Sequence, residues 1–180
     1  MIQALIFDFD GLILDTEGPD YQSWQEIYQA YGCPIPMSEW ARWIGTVSTF
    51  DPYGYLEEQL GRSVDRAAIR ARRRARFDEL MADQSLLPGV RGYVLEAKRL
   101  GLKLGIASSA PRDWIVSHLG PLGMDSTFDR IRCRNDVAHT KPDPAVYRAA
   151  LEALGVQAQQ AIALEDSPNG VLAAKRAGLY

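Results

Sequence analysis

From Leu86 onward, short apolar runs alternate with segments of helical length, and that alternation restricts the fold more than any other feature. Gly89–Leu100 predicts a helix stopped by Gly101, and Leu102–Ala107 a strand running into Ser108-Ser109. Pro111–Leu119 predicts a second helix and Arg130–Arg134 a short strand. Asp143 caps a helix with Pro144 at its first position, which runs to Leu154 and is closed by Gly155. Ala161–Leu164 is a further strand, ending in Glu165-Asp166. Ser167 and Pro168 then start a helix that Gly178 ends. With the apolar run Ala4-Leu5-Ile6-Phe7 at the start, this is an α/β pattern. It implies a Rossmann-like parallel sheet covered on both faces.

Residues from Pro19 to Asp83 break the alternation. Tyr21, Trp24, Ile27, Tyr28 and Tyr31 recur at helical spacing, and Gly32 ends that helix. Further helices are expected over Ser38–Gly45, Asp51–Gly61 and Asp65–Met81, with no strand among them. The organisation is therefore a core of residues 1–15 and 85–180 that carries an all-helical insertion, 16–84.

In open parallel sheets, ligands bind beyond the carboxyl ends of the strands. Asp8, Asp10, Ser108, Glu165 and Asp166 all fall at such ends. Asp8 and Asp10 are two apart, so on an extended chain they face one way, roughly 6.6 Å apart at ~3.3 Å per residue. Gly11 allows a sharp turn directly after them. Carboxylates brought together are costly to bury without a use, so this end of the sheet reads as a metal or acid–base site.

Composition excludes several classes. A net charge of -3 and a pI of about 5.4 give no whole-chain basic signal for nucleic acid. No apolar stretch approaches a membrane span. Cys33 and Cys133 are far apart, without the spacing of a zinc cluster or a disulfide framework, as expected in a reducing cytoplasm. No internal repeat is present.

These residue types suit phosphoryl transfer through an aspartate. One carboxylate can attack phosphorus and hold the group covalently. A second can protonate the leaving oxygen and later activate water. Oxygen ligands suit Mg²⁺, and a lysine offsets negative charge that would otherwise keep nucleophile and substrate apart.

Asp8-Phe9-Asp10-Gly11-Leu12-Ile13-Leu14-Asp15-Thr16-Glu17 resembles the first motif of the haloacid-dehalogenase-like superfamily, in its phosphatase and β-phosphoglucomutase branch. Ala107-Ser108-Ser109 resembles the second motif and Lys141-Pro142-Asp143-Pro144 the third. Leu164-Glu165-Asp166-Ser167-Pro168-Asn169-Gly170 resembles the fourth. The resemblance runs the length of the chain, with the helical insertion where that branch carries its cap domain. It implies that Asp8 is the nucleophile and a metal ligand. Asp10 is the general acid/base and lends the metal its backbone carbonyl, while Glu165 and Asp166 complete a Mg²⁺ site. Ser108 and Ser109 bind the phosphoryl group, Lys141 balances charge beside Asp8, and Thr16 orients Asp10. Gly45, in a cap loop, touches the leaving group.

Several of these residues also have plainer readings. Ser108 by itself reads equally as a helix cap, Lys141 as a surface lysine and Ser167 as an N-cap. Arg70, Arg72, Arg73, Arg74 and Arg76 read as a solvated helix face whose stems cover apolar surface, with steering of phosphorylated substrates as the alternative. Trp24, Trp40 and Trp43 read as core of the insertion, and His118 and His139 as surface or loop residues. Asp20 stands where mutases of the branch carry a cap histidine, which favours hydrolysis over isomerisation. The implied activity is a Mg²⁺-dependent phosphatase acting on a small phosphorylated metabolite, as a monomer or weak homo-oligomer. A β-phosphoglucomutase-type mutase is the nearest enzyme alternative. A catalytically inactive binding or scaffold protein is the alternative of another class. Dehalogenation fits poorly, since Asp10 and Asp166 are both present. The family sheet continues with a strand after Gly178-Leu179-Tyr180, so an exposed edge is expected beside Ala161–Leu164.

Overall fold

Ala4–Phe7 forms β1, and all four of its side chains are buried. Successive strand residues point to opposite faces, so a wholly apolar strand requires cover on both sides. In the computed structural model, which describes residues 1–40 and 51–180, β1 pairs with β2 (Lys103–Ala107) on one side and β4 (Ala161–Leu164) on the other. A third strand, β3 (Arg130–Arg132), lies beyond β2, giving the order β3-β2-β1-β4, all parallel.

Helices α1 (Glu17–Ala30), α2 (Met37–Trp40), α3 (Pro52–Leu60) and α4 (Arg66–Ala82) follow β1 in the chain. After them come α5 (Val90–Arg99) before β2, α6 (Arg112–Leu119) before β3, α7 (Ala145–Leu154) before β4 and α8 (Pro168–Ala177) after it. Ala4 and Ile6 of β1 pack with Val146, Tyr147 and Ala150 of α7 and with Ala173 of α8. Leu5 and Phe7 point to the opposite face, where Phe7 meets the edge of Phe128. The α/β class read from the alternation is the one observed.

Contacts divide the chain into two compact units. One contains Met1–Asp15 and Ser85–Tyr180, with the sheet and α5–α8. The other contains residues 16–40 and 51–84, which are helical and include no strand among the described residues. In this helical unit Trp24, Ile27, Tyr28, Trp40, Leu56 and Ile69 form a separate core. Trp43 lies outside the described residues.

Two local expectations need correction. The strand from Arg130 stops at Arg132, because the Cys133 amide donates to the Asp136 carboxylate at 2.8 Å and turns the chain out of the ladder. Two of the α4 arginines do more than form a solvated face. Arg73 pairs with Asp20 and stacks over Trp24, and Arg76 pairs with Glu26 at 2.9 Å, so both tie α4 to α1. On the outer side of β4, the Ala163 amide donates to the Tyr180 carbonyl at 2.8 Å, and the Tyr180 amide to the Ala161 carbonyl at 3.2 Å. That side of β4 is therefore partly paired.

Candidate active site

The parallel register aligns Phe7 with Leu164 and with Ile106, so β1, β2 and β4 end at one level. Asp8 continues that ladder, its amide donating to the Leu164 carbonyl at 2.9 Å. Glu165 and Asp166 follow on the adjacent strand. One carboxylate oxygen from each of Asp8, Glu165 and Asp166 lies within 4.8 Å of the others.

Lys141 enters from the turn before α7, where the Lys141-Pro142 peptide is cis. Its ammonium is 2.8 Å from Asp8 Oδ1 and 2.5 Å from Glu165 Oε1, with 2% of its side chain exposed. This lysine is buried, so its surface reading is excluded. The first turn of α7 is held by Asp143, whose carboxylate accepts from the Ala145 amide at 2.9 Å. The helix itself begins at Ala145, one residue later than its proline suggested.

The electrostatics follow from burial. Desolvation pushes the Asp8 carboxyl up to about 8, against the pull of Lys141 and with repulsion from Glu165 and Asp10. Burial works to lower the Lys141 pKa, but Asp8 and Glu165 outweigh it and hold the ammonium above its ordinary value. Asp166 is raised by burial and by the neighbouring Glu165 charge. Carboxylates that repel one another in a partly dry site are poised to receive a cation.

Two supporting residues have weaker sequence signals. Tyr147 on α7 donates its hydroxyl to Glu165 Oε1 at 2.5 Å, beside the contact from Lys141. Its position on an apolar helix face carries no sequence signal of this role. Gly170 has a clearer signal, since glycine inside a helical first turn is unfavourable without a reason. A Cβ there would lie 1.9 Å from Glu165 Oε2 and 2.0 Å from its Cδ. Ser167 Oγ accepts from the Gly170 amide at 3.1 Å and donates to Glu165 Oε2 at 3.3 Å, so it caps α8 and steadies the carboxylate together. Replacing Gly170 with alanine is expected to displace Glu165 and to cost roughly 1–3 kcal/mol, as overpacking does. Chemical denaturation of Gly170→Ala checks this; unchanged stability would mean that the carboxylate has room to move.

At the end of β2, Ser108 is buried and its Oγ accepts from the Ala110 amide at 3.0 Å. It therefore organises the loop into α6, whose own N-cap position is Pro111. The Ser109 hydroxyl is buried with no hydrogen-bond partner among the described residues. Asp10 stands in the turn after β1, where Gly11 has φ 73° and its amide donates to the Leu14 carbonyl. Asp10 Oδ1 accepts from the indole of Trp114, at 2.9 Å. His118 is no loose surface residue: its ring is 4.0 Å from that of Trp114, and its Nδ1 is 2.7 Å from the Trp114 carbonyl. Thr16 is buried at the N-cap of α1 and makes no side-chain cap bond. Gly45 lies outside the described residues.

The model of the haloacid dehalogenase-like hydrolase family matches residues 5–180. The chain belongs to that family. Among its relatives, the Bacillus subtilis (strain 168) protein YhcW is 46% identical over 99% of this chain and 81% of its own length. Validoxylamine A 7'-phosphate phosphatase from Streptomyces hygroscopicus subsp. limoneus is 30% identical, over 100% of this chain and 84% of the relative. The crystal structure of a CbbY mutant from Rhodobacter sphaeroides in complex with xylulose-(1,5)bisphosphate is 33% identical, with a TM-score of 0.74. That match covers 99% of this chain and 84% of the other. Within the family, the acidic cluster fits the general use of a divalent metal by its phosphatases.

Proposed function

We propose that this haloacid dehalogenase-like hydrolase is a Mg²⁺-dependent phosphatase, hydrolysing a small phosphorylated metabolite through a phosphorylated Asp8. The observation that carries this reading is the meeting of Asp8, Glu165, Asp166 and the buried Lys141 ammonium at the ends of β1 and β4. An all-oxygen, anionic donor set fits a hard divalent ion. Asp8, Glu165, Asp166 and the Asp10 backbone carbonyl would hold Mg²⁺, which supplies charge neutralisation for the transferring phosphoryl group.

Both hydrogen-bonding contacts given to the Asp8 carboxylate, from Lys141 and from the Phe9 amide, fall on Oδ1. Oδ2 is the attacking oxygen. It forms a bond to phosphorus as the ester P–O bond breaks, and Asp10 gives its proton to the departing alkoxide. Asp10, now ionised, takes a proton from water; the hydroxide attacks phosphorus, releases phosphate and regenerates the Asp8 carboxylate. Lys141 opposes the effect of burial on Asp8 and favours its ionised, attacking form. The Ser109 hydroxyl and the Ser108 loop bind the phosphoryl oxygens. The helical unit serves as the cap that selects the substrate.

Hydrolysis is favoured over isomerisation because the Asp20 carboxylate, in place of the mutase histidine, is taken up by Arg73. A carbohydrate-like phosphate is the substrate class, as the names of two relatives suggest for those proteins. The free thiols of Cys33 and Cys133 accord with a cytoplasmic location, and no helix among the described residues is long and apolar enough to cross a membrane. The test is a panel of phosphorylated metabolites with Mg²⁺, with and without chelator, followed by phosphate release. Release from sugar-like phosphates that falls to background on chelation is expected. Isomer without free phosphate, on addition of a bisphosphate, would indicate the mutase instead.

A further inference from the structure

We propose that Trp114 is a positioning residue for Asp10, fixing the carboxyl group that moves the proton in both half-reactions. This rests on the phosphatase reading of the site. Asp10 stands at the start of a glycine-assisted turn rather than within a strand, so no sheet ladder fixes its orientation. The Trp114 indole contacts Oδ1 at 2.9 Å, across 104 residues of sequence. An indole N–H can only donate. It therefore orients the carboxyl group without competing for the proton that group transfers.

The indole is itself held in place. Trp114 lies on α6, anchored in the sheet unit by the buried side chains of Ile115 and Leu119. The His118 ring packs against its face, and that ring also meets Phe9, next to Asp10 in sequence. The same helix follows the Ser108-Ser109 loop. One rigid element thus sets the phosphate-binding loop and the orientation of the proton donor relative to each other, as effective catalysis requires.

Positioning of a proton donor matters most for a leaving group that cannot depart as an anion. In Trp114→Phe, which keeps an aromatic side chain but removes the N–H, turnover of a hexose 6-phosphate should fall about 10-fold or more, with KM little changed. The pre-steady-state burst of 2,4-dinitrophenolate from its phosphate ester, which needs no proton, should be retained. In Asp10→Ala the substitution should have no further effect. Independently of activity, the Trp114 indole N–H resonance, assigned by its loss in Trp114→Phe, should move in Asp10→Ala. Equal losses on both substrates, or an indole resonance that does not move, overturn the inference while leaving the phosphatase reading intact. A wild-type chain with no phosphate release beyond that of Asp8→Asn overturns both.

Discussion

Replacing Asp8 with asparagine is expected to lower phosphate release by on the order of 10⁴-fold or more, as loss of an attacking group does in other covalent catalysts. The amide has the shape of the carboxylate but lacks its nucleophilic charge, and no neighbour can take over. Glu165 is engaged by Lys141 and Tyr147, and Asp166 lies two residues beyond the end of β4. Folding should survive, because burial disfavours the charged form of Asp8 and pushes its carboxyl up to about 8. Since that value lies above the unfolded one of 3.8, the folded protein binds the extra proton between the two. Stability from Asp8 is thus fully present below 3.8 and declines as the pH rises through 8. Asp8→Asn removes this titration. In metal-free buffer its melting temperature should change less than that of the wild type between pH 5 and pH 9, roughly the span of the titration. A variant that hydrolyses at the wild-type rate would remove the covalent mechanism. An unaltered pH dependence would instead show that Asp8 is not the group burial has shifted.

Lys141→Met should be the most destabilising single change at the site. The lysine is the ammonium within 2.8 Å of Asp8 and within 2.5 Å of Glu165, with almost none of its side chain exposed. Removing one member of a buried ionic cluster leaves the others uncompensated, at a cost of about 3–5 kcal/mol. For a chain of this size the melting temperature should drop by on the order of 10 °C. Activity should be lost as well, since Asp8 then loses the positive charge that favours its ionised form. The double variant Lys141→Met, Glu165→Gln separates the two effects. Removing the second buried charge should restore much of the stability and none of the activity. If Lys141→Met melts like the wild type, the cluster is better hydrated than its burial indicates. If the double variant regains activity, Lys141 has no part in ionising Asp8.

Much of the sheet unit was legible before any coordinates. Ala4–Phe7 and Ala161–Leu164 are continuous apolar runs with turn-forming neighbours, and the strands have those bounds. Ser167 caps its helix as the sequence indicates, and the helices expected from Asp51 and Asp65 are capped by those residues, because capping depends on a side chain and amides two or three residues away. Asp8, Ser108, Glu165 and Asp166 were legible as a group because strand ends on one side of a parallel sheet share a locality. The Arg70–Arg76 face was misread in part: a run of arginines on one helix carries no record of the acids opposite, and Asp20 and Glu26 lie on α1.

Local order along the chain, and the motifs set at its strand ends, were therefore written in the residues themselves, since hydrogen bonding and apolar periodicity act over a few positions. Tertiary packing alone decided that Lys141 is dry and shared by two carboxylates and that Trp114 reaches Asp10. Each of those facts joins segments far apart in the chain. Their energies arise from burial and close approach, which exist only once the sheet has brought its ends together.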